Sequence, residues 1–398
     1  MTMKKAILLI IDGLGDLPTP KTPLQAAKKP NLDRLAAKGI SGLLAPVGRF
    51  IVPGSDTSHL ALLGYDPRQF YCGRGPLEAL GLGMELREGD VAFRVNFATV
   101  ENNIVTDRRA GRIDTQTSAV LAKHLSMRIA DVDAVFRSSV EHRGALVLRG
   151  PGLSQLVSAT DPHVTGSRIR LCQPLAPEAI KTADIVNAFT KQAMEKLSLA
   201  PENQKRSKPA NAVLLRGAGM YKRVQPFQER FRIRGACIAG GALYKGVARY
   251  VGMDVFDVIS ATGDKNTDLK AKAAAAVRAL ADHDFVMLHV KACDSAGHDG
   301  DFIAKRKMLE RIDKELIPII VKSGACLVIT GDHSTPVSRK AHSGHEVPVL
   351  VSASGERKDT VKKFDEMSCM QGGLGHIEGK DVMPLILNLI EKAEKYGS

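Results

Sequence analysis

Asp12 follows the apolar run Ala6 to Ile11 in Ile11-Asp12-Gly13-Leu14-Gly15, where glycines let the backbone turn closely round a bound group. Alone, such an Asp is more often a turn or helix cap than a ligand. Asp294 and His298 are four apart in Asp294-Ser295-Ala296-Gly297-His298, a spacing that puts both on one side of a helical turn where they grip one ion. Asp332 and His333 stand where the apolar run Cys326 to Ile329 stops, and adjacent side chains diverge, so the pair either serves one ion together or bridges two. His342 and His345 follow, just before Val347 to Val351. Carboxylates mixed with imidazoles suit Mn²⁺, Zn²⁺ or Mg²⁺ better than a thiolate-selecting metal. In Pro53-Gly54-Ser55-Asp56-Thr57-Ser58-His59 a hydroxyl sits on a tight turn before Leu60 to Leu63, a predicted helix. Helix N-terminal amides favour phosphate and a metal can turn Ser55 into an alkoxide nucleophile; the alternative is Ser55 or Asp56 as an ordinary N-cap.

These residues must be placed by the runs they punctuate. Ala6 to Ile11, Phe285 to Val290 and Cys326 to Ile329 are near-continuous apolar strands, as a parallel sheet covered on both faces requires, and ligands gather at the carboxyl ends of such strands. Helical stretches are expected over 24–38, 268–282, 302–321 and 382–394. The middle differs. Runs 91–100 and 104–106 flank an Asn102-Asn103 hairpin turn, 132–140 and 144–148 add strands, 177–197 is a predicted helix and 200–211 a polar loop. The prediction is an α/β three-layer sandwich with a mostly parallel sheet, formed by residues 1–73 and 228–398, carrying an inserted α+β domain at 74–227.

The 398 residues are enough for two such domains. A hydrophobic fraction of 44% with 36 Gly and 19 Pro excludes disordered and low-complexity classes. Trp is absent and aromatics are 5%, which argues against a carbohydrate cleft or a base-stacking surface. The net charge of +13 is dispersed, with no basic motif interleaved with aromatics, so no nucleic-acid partner is expected. Six scattered cysteines without a CxxC pair read as reduced thiols, and no run approaches a membrane span. A cytoplasmic location is expected; the oligomeric state is not written in the sequence.

The set Asp12, Ser55, Asp294-x-x-x-His298, Asp332-His333 and His342 resembles the two-metal site of the alkaline phosphatase superfamily. More narrowly, Ile11 to Asp16, Gly54 to Thr57, Gly73-Arg74-Gly75-Pro76-Leu77-Glu78-Ala79, Asp107-Arg108-Arg109-Ala110-Gly111-Arg112, Thr160-Asp161-Pro162-His163 and His342-Ser343-Gly344 are similar to the archaeal-type 2,3-bisphosphoglycerate-independent phosphoglycerate mutases. The resemblance runs along nearly the whole chain in order. It implies an alkaline-phosphatase-like fold and two divalent ions (Mn²⁺, Mg²⁺, Zn²⁺ or Co²⁺). One would be held by Asp294, His298 and His342, the other by Asp12, Ser55, Asp332 and His333. It further implies Ser55 as the phosphorylated nucleophile and Lys245 as a lysine bridging nucleophile and phosphate. Two positions depart from the pattern: His345 stands where Asp is usual, and His376 where Arg is usual.

The implied activity is that of an isomerase of glycolysis and gluconeogenesis, interconverting 3-phosphoglycerate and 2-phosphoglycerate without 2,3-bisphosphoglycerate. Glycerate would stay bound while the phosphoryl group rests on Ser55, and water must be kept out meanwhile. That is a reason for an insertion acting as a substrate-binding lid. Its basic, His and acidic residues Arg94, Arg112, His142, Arg143, Asp161, His163 and Arg216 are the candidate substrate contacts, with Asp161 and His163 read as a buried pair. The alternative is a metal-dependent phosphohydrolase, or a mutase for another small phosphorylated metabolite, on the same metal core.

Overall fold

The computed structural model describes residues 4–395 and 397. The chain divides into two compact units, 1–71 with 225–398, and 72–224. These boundaries fall two and three residues before the expected 73/74 and 227/228.

The first unit is built on an eight-stranded sheet in the order Asp254–Val255, Gly235–Ile238, Phe285–Val290, Ala6–Ile11, Cys326–Thr330, Val347–Ser352, Ile40–Ala45, Gly375–Glu378. All neighbours are parallel except Val347–Ser352, which runs antiparallel to both of its own. Every residue of Ala6–Ile11 and Phe285–Val290 is buried, because helices cover both faces. Ile7, Leu9 and Ile11 pack with Leu269, Ala273, Met308, Leu309, Leu316 and Ile320 on one face. Ser55–Leu62 and Gly379–Leu389 pack together, and Gly379–Leu389 contacts Cys326–Thr330. The expected three-layer α/β sandwich is the observed architecture.

The helical stretch expected over 24–38 is two short helices, Pro23–Ala26 and Pro30–Ala36. Proline disfavours the helical region for the residue before it, and Lys29 accordingly leaves that region at φ −134° and ψ 58°. The stretch 302–321 forms one rod, Phe302–Arg311 and Ile317–Lys322 joined by a π-helical segment Ile312–Leu316.

The second unit is an antiparallel sheet around Val91–Glu101, which pairs with Ile104–Asp107, Arg143–Arg149 and Ala212–Met220. Asn102 and Asn103 both take positive φ, 49° and 63°, as a two-residue hairpin turn requires. The helix Ile180–Leu199 lays Val186, Phe189 and Ala193 onto Phe93, Val95 and Phe97. The expected loop 200–211 contains one further helical turn, Pro201–Gln204. All six cysteines are buried. Among the described residues no helix is long and apolar enough to cross a membrane.

Candidate active site

Strand direction brings the chemistry to one edge of the large sheet. Asp12, Asp294 and Asp332 with His333 all follow the carboxyl ends of parallel strands. His342 instead precedes Val347–Ser352, and because that strand is antiparallel its amino end lies at the same edge. Ser55 reaches it as the first residue of the helix Ser55–Leu62, with Gly54 as N-cap. The hydroxyl is therefore free of capping duty: Ser55 Oγ lies 3.1 Å from His333 Nε2, and Asp56 is engaged by Tyr71, whose hydroxyl donates to Oδ2 at 2.7 Å.

Two groups of side chains could each hold an ion: Asp294 with His298 and His342, and Asp12 with Asp332 and His333. His298 Nε2 and His342 Nε2 stand 3.3 and 3.5 Å from Asp294 Oδ1. His333 Nε2 stands 3.4 Å from Asp12 Oδ1 and 3.3 Å from Asp332 Oδ2. Asp12, Asp332 and His333 are fully buried, yet Asp12 Oδ1 and Asp332 Oδ2 have no hydrogen-bond partner. Burial pushes His333 down to about 3, so its ring is neutral and cannot supply the missing positive charge. Burial, with Asp12 and Asp294 adding repulsion, pushes Asp332 well above the carboxylate range. Asp12 is held well below it despite burial, by the Lys291 charge and the hydrogen bond with His289. Two buried carboxylates facing a neutral imidazole lone pair are a donor set for a divalent cation, which would hold both ionised.

His298 Nδ1 and His342 Nδ1 donate to the carbonyls of Lys340 (3.0 Å) and Pro53 (2.9 Å). A carbonyl only accepts, so both rings carry their proton on Nδ1 and offer Nε2 to an ion. His345 is exposed and bonded to Ser343 Oγ (2.9 Å), so of the two histidines left open by the sequence, His342 faces the ion group. His376 pairs with Glu346 at 2.7 Å.

Behind Asp12 lies a layer that sequence reasoning missed. Tyr244 donates to Asp12 Oδ2, His289 Nε2 approaches the same oxygen at 3.2 Å, and their rings stack at 3.6 Å. Lys291 Nζ reaches Asp294 Oδ2 (2.8 Å) and Asp12 Oδ2 (3.4 Å), one carboxylate of each group. Burial opposes its charge, but Asp12, Tyr244 and Asp294 outweigh it and raise Lys291 well above the usual lysine range. A lysine at a strand's carboxyl end and a histidine inside an apolar strand were the available signals. Lys245 bonds Asp257 Oδ1 at 2.5 Å.

In the second unit Arg94 and Arg216 are opposite each other on paired strands. Burial and the nearby Arg143, Arg109, Arg112 and Arg216 push His142 down to about 4. Arg94 goes down to about 10 through burial, partly offset by Glu78 (3.1 Å), with Arg74, Arg216 and Arg143 adding repulsion. The buried His142 Nδ1, Arg74 Nε and Arg216 Nε have no hydrogen-bond partner. Such crowding of cations suits an anion. Asp161 and His163 do not form the expected side-chain pair: Asp161 takes a two-pronged bond from Arg108 (3.0 and 2.7 Å). His163, exposed with φ 67°, reaches it only through its backbone amide (2.9 Å). Arg74, Arg108 and Arg109 belong to this cluster and were not among the expected contacts.

A buried serine hydroxyl beside two groups that could bind ions, at the carboxyl ends of a mostly parallel sheet, is the arrangement of a metal-dependent phosphoryl-transfer enzyme. A family model described as 2,3-bisphosphoglycerate-independent phosphoglycerate mutase matches residues 36–203. A Methanocaldococcus jannaschii protein named 2,3-bisphosphoglycerate-independent phosphoglycerate mutase 1 is 46% identical over 100% of both chains. One of that name from Archaeoglobus fulgidus is 46% identical over 98% of this chain and 99% of its own. The solved cofactor-independent phosphoglycerate mutase of Thermoplasma acidophilum superposes with a TM-score of 0.73 at 38% identity, covering 98% of this chain and 100% of that one. A Pyrococcus horikoshii structure does so with 0.87 at 37% identity over 100% of each. The chain belongs to the 2,3-bisphosphoglycerate-independent phosphoglycerate mutases, and is an isomerase.

Proposed function

We propose that this protein interconverts 3-phosphoglycerate and 2-phosphoglycerate in the cytoplasm through a phosphoserine at Ser55, with one divalent ion held by Asp294, His298 and His342 and another by Asp12, Ser55, Asp332 and His333. The carrying observation is the pair of orphaned buried carboxylate oxygens, Asp12 Oδ1 and Asp332 Oδ2, facing the imidazole edge that also faces Ser55 Oγ. Bound ions would lower the pKa of the serine hydroxyl and offset charge on phosphate oxygens.

The chain's own groups do the rest. Ser55 Oγ attacks phosphorus in line from a helix start whose amides favour the anion. Lys291 adds a fixed positive charge between Asp12 and Asp294. Lys245 exchanges Asp257 for the phosphoryl group, which its exposed carboxylate partner permits. The guanidiniums around His142, with Arg94, Arg112, Arg143 and Arg216 among them, hold the glycerate carboxylate, and Asp161 keeps Arg108 and Arg216 in place. The inserted unit acts as a lid that keeps water from the phosphoserine until glycerate has turned.

The test is to supply purified protein and Mn²⁺ with 3-phosphoglycerate and measure both products. Formation of 2-phosphoglycerate without inorganic phosphate is expected; phosphate released without 2-phosphoglycerate would assign the phosphohydrolase alternative.

A further inference from the structure

The three imidazoles of the two ion groups do not have equal reason to present Nε2. Carbonyls settle His298 and His342. His333 Nδ1 faces a hydroxyl instead, Thr335 Oγ1 at 2.9 Å, and a hydroxyl can donate or accept. Thr335 has one proton to give. Its other partner is Asp294 Oδ1, also at 2.9 Å, in a carboxylate already ion-paired to Lys291 at 2.8 Å. A carboxylate only accepts, so the proton goes to Asp294, and the hydroxyl must then accept from His333 Nδ1–H. The Nε2 lone pair is thereby left facing Ser55 Oγ, Asp12 and Asp332.

Thr335 is itself over-determined. It is fully buried, its amide donates to Gly15 O (3.1 Å), and its carbonyl accepts from Lys305 Nζ (3.0 Å). Lys305, buried as well, also bonds Gly15 O (3.1 Å) and Asp16 Oδ2 (2.8 Å), so the loop after Asp12 and the loop after His333 share one clamp. From the third side, a Cβ at Gly297 would come within 2.5 Å of Thr335 O, so the helix Ala292–Asp299 carrying Asp294 and His298 packs against Thr335 as closely as glycine allows.

We propose that Thr335 is a positioning residue that couples the two ion groups: one hydroxyl pins Asp294 of the first and sets His333 of the second as the Nδ1–H tautomer. This rests on the two-ion reading above, and the test separates them. Wild type, Thr335→Val and Thr335→Ser are titrated with Mn²⁺ by calorimetry, and nitrogen-15 histidine spectra are recorded on each metal-free protein. Wild type and the Ser variant should take up two ions; the Val variant, close in shape but lacking the hydroxyl, should bind about 10–100-fold more weakly. His333 should appear as Nδ1–H in wild type and lose that single state in the Val variant. Val binding like wild type, or His333 protonated on Nε2 in wild type, overturns the proposal. Wild type taking up fewer than two ions overturns the two-ion reading instead, while the spectrum still decides the tautomer. The wild-type spectrum is decisive even if Thr335→Val does not fold.

Discussion

Asp332→Asn should make the protein more stable without metal and less responsive to it. Asp332 Oδ1 accepts from the Gly13 amide at 3.1 Å, a bond the Asn carbonyl keeps. Oδ2 is buried with no hydrogen-bond partner, 3.3 Å from the neutral His333 Nε2, where an Asn amide can donate. Burial, Asp12 and Asp294 raise Asp332 in the folded state, so the folded chain holds a proton that the unfolded chain releases above about pH 4. Metal-free stability is therefore lost as pH rises from there. Since pH 7 lies about three units higher, and each unit is about 1.4 kcal/mol, the ceiling of that loss is about 4 kcal/mol. Asn removes the term, giving a gain at pH 7 bounded by that ceiling. With Mn²⁺ at a hundred times its dissociation constant wild type gains about 2.7 kcal/mol; a variant binding a hundredfold more weakly gains only about 0.4. Urea unfolding at pH 5 and 7, with chelator and with Mn²⁺, reads both effects. A metal-free Asn variant less stable than wild type would show that Asp332 is not held protonated, and equal stabilisation of both by Mn²⁺ would show that Asp332 holds no ion.

Ser55→Ala removes one hydrogen bond, to His333 Nε2, so unfolding free energy should change by about 1 kcal/mol while turnover disappears and Mn²⁺ uptake persists through Asp12, Asp332 and His333. Retained turnover would refute the phosphoserine route. Chelation should abolish activity and lower the Tm, leaving Asp12 Oδ1 and Asp332 Oδ2 buried without a partner; reloading with Mn²⁺, Mg²⁺, Zn²⁺ and Co²⁺ identifies the ions that restore both. Glu366 is pushed up to about 7 by burial, although Thr22 donates to it at 2.7 Å, Asp16 N bonds its other oxygen and Lys305 lies near. Its folded form holds a proton that the unfolded form loses above about 4.5, so stability falls between pH 4.5 and 7, and Glu366→Gln should recover on the order of 1–3 kcal/mol at pH 7 in urea titrations. An unchanged pH profile contradicts that assignment.

Among the candidate ion-binding residues, Asp12, Asp332 and His333 were legible because they stand where an apolar run stops, and a buried parallel sheet leaves its strand ends as the place for polar side chains. Which of His342 and His345 faces the ion group was not legible: both precede the same strand, and the choice is made by the Pro53 carbonyl, 289 residues away. The same blindness to distant partners explains Asp161, read with its neighbour His163 but bonded to Arg108, 53 residues earlier. Tyr244 and His289 look like core residues of a helix and a strand until tertiary packing stacks them behind Asp12. Pro30, by contrast, stands in plain view in the sequence, and its effect on Lys29 breaks a helix over 24–38 whatever the apolar spacing favours.

Passage of the phosphoryl group through Ser55 would leave a covalent trace. Mixing the metal-loaded protein with 3-phosphoglycerate, quenching in acid within one turnover and sequencing the peptides by mass spectrometry tests it directly. Phosphoserine at Ser55, appearing and then declining as 2-phosphoglycerate accumulates, is expected. Conversion to 2-phosphoglycerate with Ser55 unmodified at every time point would exclude transfer through that hydroxyl.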